Sequence, residues 1–247
     1  MADYREQARM QSGFRTDART QAEIDQGLRS YMLGIYNYMT IAMVITGGVA
    51  MAVAGWVTNN IEAAQLLYGS PLKWVIMLAP LAFVLVMSFG MNRMSAGTLR
   101  TVFFAYSAVM GLSLASIFLV YSGASIAQTF FVTAAAFAGL SLFGYTTKKN
   151  LSGMGSFLLM GLIGLIVAML VNLFLQSSAL MFAINVIGVL IFAGLVAYDT
   201  QRLKHMYDVV MHDGEAMAKT SIMGALSLYL NFVNLFMFLL SFMGNRE

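Results

Sequence analysis

Seven stretches of about 20 residues, almost free of charge, divide this chain and limit what it can become. They lie near 31–57, 73–92, 99–121, 124–146, 154–176, 179–202 and 221–243. A helix rises ~1.5 Å per residue, so each run is long enough to cross a hydrocarbon layer ~30 Å thick. Composition agrees. The chain is 60% hydrophobic and 10% charged, where a soluble domain carries about 25% charged residues. The expected fold class is therefore all-α: a polytopic membrane protein with seven transmembrane helices. The 21 Met and 18 Phe suit lipid-facing and bundle-packing positions without calling for a cofactor.

The connections constrain the topology further. Those at 121–125 and 176–179 are too short for anything but antiparallel hairpins. Only 203–220 is long and charged; it reads as a flexible loop carrying His205 and His212, solvated and without metal-ligand company. Pro80 lies inside the second run, where membrane helices tolerate a kink. No internal repeat of the kind that builds many transporters is visible. Residues 1–29 hold five Arg and five acids and form a polar tail, expected to be disordered or loosely helical. This tail lacks a signal-peptide pattern, so the first run is expected to stay as a helix of a membrane domain spanning 30–247.

Charge sets the expected orientation. Arg5, Arg9, Arg15, Arg19 and Arg29 precede the first run, and Arg93, Arg100, Lys148, Lys149, Arg202, Lys204 and Lys219 follow the even-numbered ones. Only Lys73 and Arg246 fall on the opposite side. The positive-inside rule then predicts a cytoplasmic N-terminus and an external C-terminus. Cations scattered at helix ends report topology, so no nucleic-acid partner is expected. The chain has no Cys, which excludes disulfides, thiolate metal sites and Cys nucleophiles.

One acid does not fit this sorting. Asp199, in "LVAYDTQRLKH", ends the sixth run, whereas the other ten acids fall in tails or loops. Arg93 ends the second run, which crosses in the same direction, and both residues are about 20 positions in. They should share a level, where pairing would relieve the cost of holding either charge from bulk water. In the seventh run Gly224, Ser227, Asn231, Asn234 and Ser241 form one stripe at helical spacing. Its depth puts Asn231 near mid-membrane, deeper than Asp199. Asp199 reads equally as an interfacial residue satisfied by water. Asn231 and Asn234 read equally as interhelical glue, worth ~0.6 kcal/mol per bond. Tyr198 and Tyr229 read as interface or core aromatics.

"AYDTQRLKH" and "ALSLYLNFVNLFMFLL", with "TKKNLSGMGSFLL" before the fifth run and the placement of Arg93, resemble the signature segments of the Bax inhibitor-1 family, the transmembrane Bax inhibitor motif proteins. The resemblance covers about residues 30–244. It implies a bundle with a central seventh helix and six others around it in two three-helix layers. In bacterial members it implies a pH-sensitive calcium leak, in which two aspartates on helices six and seven share a proton and an arginine near the end of helix two latches onto them. Asp199 matches the first aspartate and Arg93 the latch. The second position departs, because Asn231 stands where the family has an acid. An amide can hydrogen-bond but not titrate, so weaker calcium binding and an altered or acid-shifted pH response are expected.

The resulting expectation is a pH-regulated calcium leak of the bacterial inner membrane. Asp199, Arg93 and Asn231 would be gate and sensor, and Asn231, Asn234 and Ser227 the ion path. Asp199 is the one candidate calcium ligand. The resemblance also implies an alternative, a regulatory protein that binds or modulates a membrane-bound ATP-dependent protease or other membrane partners, a role the polar tail would suit. An enzyme is not expected. There is no second membrane aspartate for an aspartyl protease, both His lie in one connection, and the seventh run offers no Lys for a Schiff base.

Overall fold

Each apolar run is a helix. The computed structural model describes the backbone of residues 2–245 and side chains from Glu23. The tail side chains before Glu23 and Arg246, both used in the charge count, lie outside the described residues. The long helices are α1 (Ala2–Asn59), α2 (Leu72–Gly90), α3 (Ala96–Leu114), α4 (Gly123–Thr146), α5 (Ser152–Leu175), α6 (Ser178–Val210) and α7 (Gly214–Met243). A short helical segment over 61–69 joins α1 to α2. A 3-10 turn, Ala115–Leu119, prolongs α3. Among the described residues, seven helices are long and apolar enough to cross a membrane.

Helix α7 is the axis of the bundle. It packs against α6, α1, α4 and α3, while α2 rests on α3 and α5 rests on α6. In α7, 56% of the apolar window is buried, against 17–33% in the other six. Its sequence explains the difference. The stripe of Gly224, Ser227 and Asn231 meets α6, and apolar residues such as Leu228, Phe232 and Leu235 are buried as well. The outer helices turn their large apolar side chains outward, with Phe131, Phe157 and Phe174 among the most exposed. That inverts a soluble protein and suits lipid as the surrounding solvent.

One sequence expectation is overturned. Residues 203–210 do not belong to a long flexible loop. Helix α6 continues to Val210, α7 begins at Gly214, and only 211–213 connect them. Leu203, Tyr207 and Val210, spaced four and three apart, are buried on one face, and the Tyr207 ring lies 5.6 Å from that of Tyr31 on α1. This apolar stripe holds the extension as helix despite its charges. His205 is exposed on that helix and His212 in the turn. Asp213 caps α7, accepting from the Glu215 and Ala216 amides, and Glu215 Oε1 accepts from Ala96 N at 2.8 Å at the start of α3. Residues 23–29 likewise continue α1, with Ile24 and Leu28 packed on the main core.

Pro80 lies inside α2, and its missing N–H leaves the carbonyl four residues earlier without its usual donor. That carbonyl is Ile76 O, and Ser113 Oγ on α3 donates to it at 2.6 Å. The bond repairs α2 and ties it to its neighbour. Closest approach between helices depends on glycine at two places. A Cβ on Gly144 of α4 would sit 2.3 Å from Ala197 O, and one on Gly111 of α3 2.5 Å from Thr46 O. Both obstacles are backbone and cannot swing away.

Gly144→Ala is therefore expected to destabilise the bundle by about 1–3 kcal/mol through forced separation of α4 from α6. Gly139→Ala on the same helix, where a Cβ meets nothing within 4 Å, should be neutral or slightly stabilising. Thermal unfolding of the two variants in detergent checks the ordering.

Candidate functional site

The carboxylate of Asp199 is buried at the centre of the bundle, with the residue 6% exposed. Two donors from α7 converge on one of its oxygens. Ser227 Oγ donates to Oδ2 at 2.6 Å, and Asn231 Nδ2 donates to the same atom at 2.8 Å. Oδ1 faces Arg202 Nη2 at 3.3 Å, one turn further along α6. The Arg202 side chain is 47% exposed, so this pair is screened and adds little stability. The hydrogen bonds to the charge matter more, because losing a partner inside the bundle leaves it unsatisfied.

The structure thus joins Asp199, Asn231 and Ser227 but does not bring Arg93 to them. Arg93 is exposed in the turn between α2 and α3, and among the described residues the ion pair of Asp199 is with Arg202. Equal depth along two helices fixes height but not the side on which a residue points. The i,i+3 spacing on α6 supplies a cation at once. Asn231 is also not deeper than Asp199, since the two side chains touch. Helices α6 and α7 both lengthen at the same end relative to the sequence expectation, which moves Asp199 inward. Asn234 stands apart from the cluster, its Nδ2 donating to Leu230 O at 2.8 Å on its own helix.

Around Asp199 the same stretch of α6 does several structural jobs that sequence inspection missed. Gln201 Oε1 accepts from Leu151 N at 2.8 Å, and its Nε2 donates to Lys149 O at 2.8 Å, clamping the α4–α5 connection. Lys204 Nζ donates to Tyr145 O at 2.9 Å and lies 4.9 Å from the Tyr145 ring. Thr200 Oγ1 donates to Val196 O and lies 3.3 Å from Ser141 Oγ on α4. Tyr229 is a fully buried core residue. Thr46 Oγ1 spends its proton on Ser107 O, so the Tyr229 hydroxyl donates to Thr46 at 2.7 Å and links α7, α1 and α3.

Two cavities lie along this part of α7, and the smaller one touches the cluster. One, of about 390 Å³, is lined by Ser88, Arg202, Thr220 and Ser227 at the end where α6 meets α7. The other, of about 860 Å³, opens towards Lys73 and Trp74 and contains Asn234 and Ser113. Val84 and Leu230 line both, so these apolar side chains separate them. Tyr68 and Tyr106 line the larger cavity, but their hydroxyls are buried away from it, without a hydrogen-bond partner among the described residues. For a metal ion the cluster offers one carboxylate. Among the described residues no group of three or more His, Asp or Glu comes together. With Oδ2 taken by two donors, a cation could reach that atom only if Ser227 and Asn231 turned away.

Arg202→Gln should lower stability by less than about 1 kcal/mol, and Arg93→Gln should leave it unchanged. Gln201→Ala, which strands two backbone groups of the α4–α5 connection, should cost about 1–3 kcal/mol. Thermal unfolding in detergent, with hydrogen exchange over 147–151 for the last variant, reads all three.

Comparison with known proteins agrees with this architecture. The family model described as inhibitor of apoptosis-promoting Bax1 matches residues 28–247. A protein of Caulobacter vibrioides is 50% identical over 235 residues, covering 93% of this chain and 94% of its own. One of Rickettsia prowazekii is 47% identical over 224 residues, covering 90% and 92%. The inner membrane protein YbhL of Escherichia coli is 47% identical over 223 residues, covering 90% and 94%. A match over almost the whole membrane bundle, with Asp199 at its centre, makes this chain a member of the Bax inhibitor-1 family.

Proposed function

We propose that this chain is a multi-pass protein of the bacterial inner membrane through which calcium leaks, under control of the Asp199 cluster. The localisation rests on seven helices able to span a membrane and on the similarity to an inner membrane protein of Escherichia coli. The cation bias at the Arg29 and Arg202 end supports a cytoplasmic position for that end. The observation that carries the leak is the pair of cavities sharing Val84 and Leu230, with a buried carboxylate bonded to Asn231, the residue next to Leu230.

In this reading the larger cavity is an outer vestibule. Asn234, Ser116 and Lys73 give it a few polar groups among apolar walls, where water could be held. The smaller cavity opens towards the cytoplasm past Arg202. Leu230 and Val84 close the route, and Asp199 sets the rotation of α7 that holds Leu230 in place. Opening requires α7 to release Asp199 or α2 to withdraw Val84. Arg202 is the charged group facing Asp199; Ser227 and Asn231 do not titrate. Protonating Asp199 would cancel the ion pair and weaken both hydrogen bonds from α7, so acid favours release. Arg93, exposed on the turn after α2, takes no part in this closure.

Calcium flux into proteoliposomes at several pH values tests this proposal. Leu230→Ala should raise flux several-fold by opening the constriction. Asp199→Asn should flatten the pH dependence, and Asn231→Asp, which sets two carboxylates side by side, should steepen it. If none of these proteins moves calcium above empty vesicles, the leak reading fails. The chain is then better read as a regulatory membrane protein.

A further inference from the structure

Helices α1 and α4 both pack on α7 but scarcely on each other. Between them runs an open groove of about 570 Å³, floored by Phe232 of α7. Its walls are one face of each helix, from Arg29 to Thr40 on α1 and from Ala134 to Tyr145 on α4. Each wall spans 12 residues, or ~16 Å of helix rise, close to half of a ~30 Å hydrocarbon core. The groove therefore runs the depth of one leaflet. The small side chains of Ala134 and Ala138 keep it open, and Leu33 and Leu142 at its edges are exposed.

We propose that this groove binds one acyl chain of an anionic phospholipid from the leaflet on the basic side of the bundle. Size selects the chain over a partner helix: a helix about 10 Å across and of this length fills roughly twice the volume. Charge selects the headgroup. Arg29 stands at the mouth of the groove. Lys204 sits on the ring of Tyr145, the last groove residue of α4, and Lys148 and Lys149 follow that helix. Asp25 lies one turn before Arg29, so the positive balance rests on the lysines as well. Basic residues beside an intramembrane crevice are the usual setting for anionic lipid headgroups. The acyl chain would lie on Phe232, next in sequence to Asn231, so the lipid touches the helix that holds Asp199.

Native mass spectrometry of the full chain, titrated with phosphatidylglycerol and with phosphatidylcholine of the same acyl composition, tests the site. The natural protein should retain one phosphatidylglycerol in preference to phosphatidylcholine. Ala138→Phe, which fills the groove, should lose that adduct. Leu142→Trp should weaken it from an exposed edge where folding is not at stake. Val167→Phe, on the exposed face of α5, should bind as the natural protein does. Arg29→Gln should weaken phosphatidylglycerol binding on the order of fivefold, one basic residue's worth at a membrane surface, and leave phosphatidylcholine unchanged. Equal retention of the two lipids by the natural protein, or full retention by both Ala138→Phe and Leu142→Trp, overturns the proposal.

Discussion

A carboxylate inside an apolar bundle must be satisfied by its neighbours, and the arrangement around Asp199 follows from how this is done. Both donors to Oδ2 come from α7, four residues apart on one face. They fix the rotation of α7 about its own axis relative to α6. Once that angle is set, Thr200 points to Ser141, Gln201 to the α4–α5 connection and Lys204 to the end of α4. The polar face of α6 thus organises α4 and α5 as well as α7. Apolar packing alone would not choose one rotation, because lipid is as good a solvent for Leu and Phe as another helix is.

The remaining polar bonds repeat this logic. Thr46, Ser107 and Tyr229 join three helices at a buried point, and Ser113 meets the carbonyl left free by Pro80. Glycines allow the closest crossings. Where neither device operates, the helices stand apart, as α1 and α4 do. The cavities and the groove are the spaces left between these fixed points, which is why Leu230 and Phe232, on the central helix, line them.

Much of this was legible in the sequence, for a physical reason. Uncharged runs long enough to span a bilayer are long-window signals, so the seven helices, their order and the uniqueness of Asp199 could be read directly. The stripe from Gly224 to Asn231 showed which face of α7 turns inward. The end of α6 could not be read from hydropathy, because Arg202, Lys204 and Asp208 mask the spacing of Leu203, Tyr207 and Val210 that keeps it helical. Asp199 pairs with Arg202 and not with Arg93 in this structure, and the sequence does not reveal that because depth along a helix gives height and not direction. Nothing local announced the groove, which arises between helices distant in sequence, although Ala134 and Ala138 leave its signature on α4.

A double-mutant cycle between Asp199 and Asn231, read as unfolding free energy of the full chain, tests the central claim most directly. Replacing either residue alone by Leu leaves the other polar group without its partner. Replacing both removes the mismatch between these two and leaves Ser227 and Arg202 as they are in the single Asp199 variant. The account predicts that the double variant loses less than the sum of the single losses, with a coupling of about 1–3 kcal/mol. Losses that simply add, within ~0.5 kcal/mol, would contradict it and leave the Asp199–Asn231 contact without a part in fixing α7.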